Sequence, residues 1–128
     1  MAWENINALC DIVRETAFAI HTYHRSGHIE SIYHKALVLR LRKRGLTALF
    51  KHPLPVYDED GTLLGDFFAD VFLEGCLIIE IKACRAIANE HVAQLLGYLK
   101  SSRIETGLLI NFGAPTLQIK KYLLTPTA

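Results

Sequence analysis

Cysteine is scarce in this chain of 128 residues, with only Cys10, Cys76 and Cys84. An odd count without CxxC spacing gives no disulfide framework, so we expect buried, reduced thiols in an intracellular protein. Neither sign of charge dominates: 14 Lys and Arg against 13 Asp and Glu leave a net charge of +1. A polyanion would therefore have to be attracted by a local patch and not by the whole surface. Apolar runs are short, none approaching the ~20 residues of a membrane span. The first stretch, MAWENINALCDIVRE, lacks the basic-then-apolar order of a signal peptide. No membrane partner and a cytoplasmic location are the expectations. Internal repeats, low-complexity segments and linkers are also missing, so residues 1–128 are expected to form one domain.

What is present is strong periodicity. Ile6, Leu9, Val13, Ala17 and Ile20 recur at helical spacing and predict an amphipathic helix from Trp3 to about Tyr23. Arg25-Ser26-Gly27 breaks it. A second helix is expected from about Ile29 to Arg44, stopped by Gly45, with Ile29, Ile32, Tyr33, Ala36, Leu37 and Leu41 as its buried stripe. Leu46 to Tyr57 reads as extended, and Pro53 and Pro55 confine it to a sheet edge or to irregular pairing. Asp58-Glu59-Asp60-Gly61 is a turn. A third helix is expected from Ile87 to about Ser101, then a buried strand TGLLIN at Thr106–Asn111 and a last strand from Leu117 to Leu124. This order predicts an α/β sandwich around a mixed sheet.

Charge is misplaced in one region, Gly65 to Lys82, which reads GDFFADVFLEGCLIIEIK. Two apolar runs interrupted by Glu74-Gly75 predict a hairpin. The first run holds Asp70; the second holds Glu80 and Lys82, which share a face because side chains alternate along a strand. Charged groups inside apolar strands are costly unless partnered. An Asp on one strand and Glu-x-Lys on the next can hold Mg2+, or Mn2+, beside a phosphodiester. Asp70 and Glu80 would be ligands, assisted by the carbonyl of Ile81, and Lys82 the catalytic base or phosphate anchor. A plain Glu80–Lys82 pair reaching solvent at a strand end is the other reading of the triplet. Parity decides between them. A two-residue Glu74-Gly75 loop would set Asp70 opposite Ile79, on the wrong face. A site requires the three-residue loop Glu74-Gly75-Cys76, or a bulge, to set Asp70 opposite Glu80.

Four ordered motifs carry a resemblance. GHIESIY at Gly27–Tyr33 fits GxxExxY, and ADVFLEGCLIIEIKA and HVAQLLGYLK follow it. The chain resembles the GxxExxY family, a branch of the PD-(D/E)XK nuclease-like superfamily, from about Asp11 to Leu124. The resemblance implies a restriction-endonuclease-like αβββαβ core, with a mixed central sheet flanked by helices and Asp70, Glu80 and Lys82 as the triad. It also implies Glu30 as an acid sent to the metal from the first core helix, and Gln94 as the helix glutamine of RecB-like members. Ala69 stands where the superfamily name has Pro. Glu30 also suits the first turn of its helix through the dipole alone. Gln94 lies on a stripe with His91 and Tyr98 that could simply border the core.

His21, His24 and His28 read as three surface histidines and not a zinc site. Arg40, Arg42, Lys43 and Arg44 read as a solvated basic helix end, which could also contact phosphates. The expected function is a metal-dependent nuclease hydrolysing phosphodiester bonds, with DNA the expected substrate. An RNA nuclease, or a nucleic-acid-binding or regulatory module without turnover, is the alternative. The apolar run Leu63–Leu73 predicts an exposed patch and a homodimer.

Overall fold

The computed structural model describes residues 5–124. Helix α1 (Ile6–His24) starts where Asn5 Oδ1 accepts from the backbone N–H groups of Asn7 and Ala8, at 3.0 and 3.2 Å. Such a cap satisfies donors that the first turn leaves open. The start expected at Trp3 lies outside the described residues. Helix α2 (Glu30–Lys43) follows a loop closed by Tyr33, whose hydroxyl donates to Arg25 O and accepts from His28 N. The Tyr33 ring stacks flat on Phe112, with centroids 4.8 Å apart.

Strands β1 (Ala48–Tyr57), β2 (Leu63–Leu73) and β3 (Leu77–Lys82) form an antiparallel meander. Helix α3 (Asn89–Ser102) then crosses over, so that β4 (Thr106–Asn111) lies parallel to β3. Strand β5 (Gln118–Leu123) returns antiparallel on the far edge, giving the order β1-β2-β3-β4-β5. Pro53 and Pro55 sit in β1, at the other edge, where a missing N–H faces no neighbour. From α2 to β4 the order is the expected αβββαβ.

Two cores cover the two faces of the sheet. Leu9, Val13 and Ile20 of α1 and Tyr33, Leu37 and Leu41 of α2 pack on Val71, Leu73, Ile79, Ile81, Leu108 and Ile110. On the other face, Leu95 and Leu99 of α3 pack with Leu54, Ala69, Ile78 and Leu109. Strand β4 is buried throughout, as a parallel strand covered on both faces should be. Gly107 belongs to this packing, because a Cβ there would sit 2.9 Å from Leu95 Cδ1.

The stripe of α2 differs from the sequence pattern. Ile29 and Ile32 are exposed, while His34 and Val38 are buried. Ile29 caps the helix and stands outside its first turn. His34 turns inward because its ring nitrogen finds a carbonyl there. His21 is likewise buried and not a surface residue, with Nε2 2.9 Å from Ala114 O. A buried ring with a partner avoids the cost that argues for a surface position. Of the thiols, Cys10 is buried but Cys76 and Cys84 are only half-buried; all three are free.

Candidate active site

The β2–β3 connection is the three-residue loop. Leu73 pairs with Leu77, Phe72 with Ile78 and Val71 with Ile79, and Glu74 and Gly75 adopt φ 53 and 69 between them. Continuing that register sets Asp70 opposite Glu80, but the ladder stops one step earlier. Here side chains take over from backbone. Asp70 N donates to Glu80 Oε2 at 3.3 Å, and Ile81 N donates to Asp70 Oδ2 at 2.9 Å. Each carboxylate therefore holds an N–H of the opposite strand.

Strand β1 shows a matching irregularity. Its register with β2 is constant from Phe50–Val71 to His52–Ala69, yet Lys51 and Asp70 between them form no pair. Lys51 has φ 48, a conformation that non-glycine residues rarely adopt. Val71 belongs to the core under α1 and α2, whereas Ala69 belongs to the core under α3. Alternation slips by one residue on both strands at once. The slip frees Asp70 from the regular pleat, on the face that carries Glu80, as a bulge would.

Glu80 is buried at 4% exposure. Burial, then a hydrogen bond with the Asp70 side chain and the Asp70 charge, pushes its carboxyl up to about 9; the Lys82 ammonium and the Asp70 N–H oppose this. Glu80 thus keeps its proton at neutral pH. Lys82 is half-buried and shares the Glu80 face. Tyr98 of α3 is close enough to feel both acids, and its ring stacks on Phe67 with centroids 4.1 Å apart. Burial and the negative charges of Glu80 and Asp70 raise the Tyr98 hydroxyl, which a hydrogen bond from Gln94 pulls down. Gln94 itself is exposed and meets the site through Tyr98. His91 has a local role: its Nδ1 accepts from Ala88 N at 3.0 Å.

Comparison with known proteins places this geometry. Residues 7–122 match the PD-(D/E)XK nuclease superfamily. The chain belongs to that superfamily. No curated protein matches it. Among solved structures it resembles the crystal structure of SSO0001, with a TM-score of 0.58 at 21% identity over 73% of this chain. The match takes in 48% of that chain, so this one spans about half its length. Such a likeness establishes the fold, a restriction-endonuclease-like α/β sandwich.

In this PD-(D/E)XK chain the donor set suits a hard divalent cation. Two carboxylates on facing strands, each accepting an N–H of the other strand and one of them buried, offer the oxygens such an ion takes, and water and phosphate would complete its shell. Glu30 is not gathered in. It is exposed in the first turn of α2, and among the described residues no group of three His, Cys, Asp or Glu side chains is placed to hold a metal. At Ile81 the group engaged with the pair is the amide N–H.

Two residues that no motif marked also shape the site. His34 holds the Asp70 carbonyl at 2.5 Å from Nε2. Asn111, fully buried, accepts from Cys84 N and Gly113 N and donates to Cys84 O and Gln118 Oε1. It pins the chain just past Lys82. Four bonds to one amide are invisible in TGLLIN, where Asn111 reads as a strand end. The basic end of α2 proves partly structural, since Arg42 Nε donates to Ala48 O at 2.9 Å.

Proposed function

We propose that this PD-(D/E)XK protein is a metal-dependent nuclease of the GxxExxY branch, with DNA as its substrate. The observation that carries the reading is the Asp70–Glu80 pair, two carboxylates on facing strands that each accept an N–H of the other strand beside Lys82. A structural ion pair would set acid against base; here acid is set against acid, an arrangement that costs stability without a cation. Asp70 and Glu80 would hold Mg2+ or Mn2+, with the Ile81 carbonyl as a further oxygen. When bound, the ion supplies charge against the negative charge gathering on the phosphate and acidifies nearby water. Lys82 would accept a proton from the attacking water or anchor the phosphate. Gln94, through Tyr98, would orient that water or a nucleotide.

The exposed apolar side chains of the β1–β2 hairpin, among them Tyr57, Leu63, Leu64 and Phe68, support a homodimer. The reading also takes the protein to act in the cytoplasm. The test is cleavage of a DNA and RNA panel with and without Mg2+ or Mn2+, using wild type and Lys82→Ala. Metal-dependent cleavage of DNA that Lys82→Ala lowers by at least ~100-fold is the expected result. Cleavage of RNA alone would move the substrate, and stoichiometric binding without cleavage would make the protein a binding module.

A further inference from the structure

We propose that His34 is a positioning residue that keeps the Asp70 backbone out of its ladder with β1 and so aims the Asp70 carboxylate at Glu80. The inference rests on the reading of that pair as a cation site. His34 lies on α2, is 3% exposed, and makes no contact with Glu80 or Lys82 among its hydrogen bonds. Its bond is to the Asp70 backbone. A carbonyl oxygen can only accept, so Nε2 must carry the proton and donate across 2.5 Å. The ring is braced by Phe50, with centroids 4.2 Å apart, and Phe50 immediately precedes the left-handed Lys51.

Two alternatives exist for the polar backbone groups of Asp70. In a regular antiparallel ladder both face one neighbour, and because Glu74 N bonds Thr47 O on the β1 side, those of Asp70 would pair with Lys51. At Asp70 the N–H goes to Glu80 Oε2 and the carbonyl to His34, so side chains from β3 and α2 occupy both. A half-buried carbonyl left without its donor would be driven back toward a ladder bond, because an unmet buried acceptor is costly. That return would rotate the peptide and carry the carboxylate out of reach of Ile81 N. His34 thus stabilises the slip from one side while Phe50 and Lys51 accommodate it from the other. A purely packing role would be met as well by Leu or Met, which bring no polar atom to bury.

The experiment uses the full chain, with Mn2+ affinity by calorimetric titration and stability by thermal melting. His34→Phe keeps an aromatic ring against Phe50 but has no donor; His34→Gln restores an N–H donor. Tyr33→Phe is the structural control, since it removes a hydroxyl bond on the same helix to Arg25 O, away from the acids. We expect His34→Phe to weaken Mn2+ binding about tenfold, in the range of other ligand-orienting residues, and His34→Gln to recover most of it. Tyr33→Phe should lower the melting temperature and leave the affinity unchanged. Equal Mn2+ affinity in wild type and His34→Phe would overturn the proposal. A wild type that binds no Mn2+ would instead overturn the cation site itself. Nitrogen NMR of the wild-type imidazole decides the positioning role even then, and also if a variant fails to fold. A proton resident on Nε2 is required, and a ring protonated only at Nδ1 would refute it.

Discussion

Glu80 stores a cost that pH can reveal. Its carboxyl is pushed from an ordinary 4.5 to about 9, chiefly by burial and then by Asp70. A group whose folded pKa exceeds the unfolded one binds more protons in the native state, so stability falls as pH rises. The contribution is fully present below about 4.5 and is lost as pH climbs toward 9. Glu80→Gln keeps the shape and removes the titration. The variant should be more stable than wild type by roughly 1–3 kcal/mol at pH 8 and about equal at pH 4, read from urea melts without metal. Identical stability profiles across that range would show that Glu80 ionises freely. The same substitution should weaken Mn2+ binding, because it removes a charge from a hard-cation site. Stability and binding would then move in opposite directions, a trade often made at functional sites.

Connections between elements set the site as firmly as its acids do. Asn111 at the end of β4 holds Cys84 by both N–H and carbonyl, while Phe112 N donates to Lys82 O at 2.9 Å. Gly113 lies so close that any Cβ would overlap the backbone of Cys84 and Ala83. Asn111→Ala would strand several buried groups and should cost about 2–3 kcal/mol in chemical denaturation. Activity in the folded fraction should fall too, as the segment after Lys82 loosens; a loss below 0.5 kcal/mol would mean that water replaces the amide. The acids were legible as charges inside apolar strands, but their parity was not: Glu74-Gly75 alone would turn Asp70 from Glu80, and Cys76 as a third loop residue sets them opposite. Pro53 and Pro55 announced an edge strand. His34 was not legible, since one histidine in the polar-apolar mixture of ESIYHKALVLRLRK carries no sign of a carbonyl 36 positions away. Ile29 and Ile32 misled for the same reason: α2 has apolar residues on more than one side, and tertiary contacts chose which to bury. The left-handed Lys51 has no sequence signal at all.

At the scale of the whole molecule, charge is sparse and apolar exposure is concentrated. Arg14 and Asp11 form an ion pair on the surface at 3.4 Å. Exposed Tyr57, Leu63, Leu64 and Phe68 crowd one hairpin that runs beyond the end of β3. Light scattering should report a mass near twice 14.4 kDa, and Phe68→Ser should shift it toward the monomer. A monomer at working concentration would leave the hairpin for some other purpose.

The coordinated slip at Lys51 and Asp70 has a further consequence for how such a protein can change. Losing Lys51 alone would leave Asp70 with no residue opposite it, a bulge confined to β2. Losing Asp70 alone would leave Lys51 as the unmatched residue, a bulge confined to β1. Losing both would restore unbroken alternation, with Phe50–Val71 followed directly by His52–Ala69. The doubly shortened chain would be a plainer ribbon, easier to fold and with nowhere to put a charge. The carboxylate that faces Glu80 is thus carried on an insertion that two strands make at the same step.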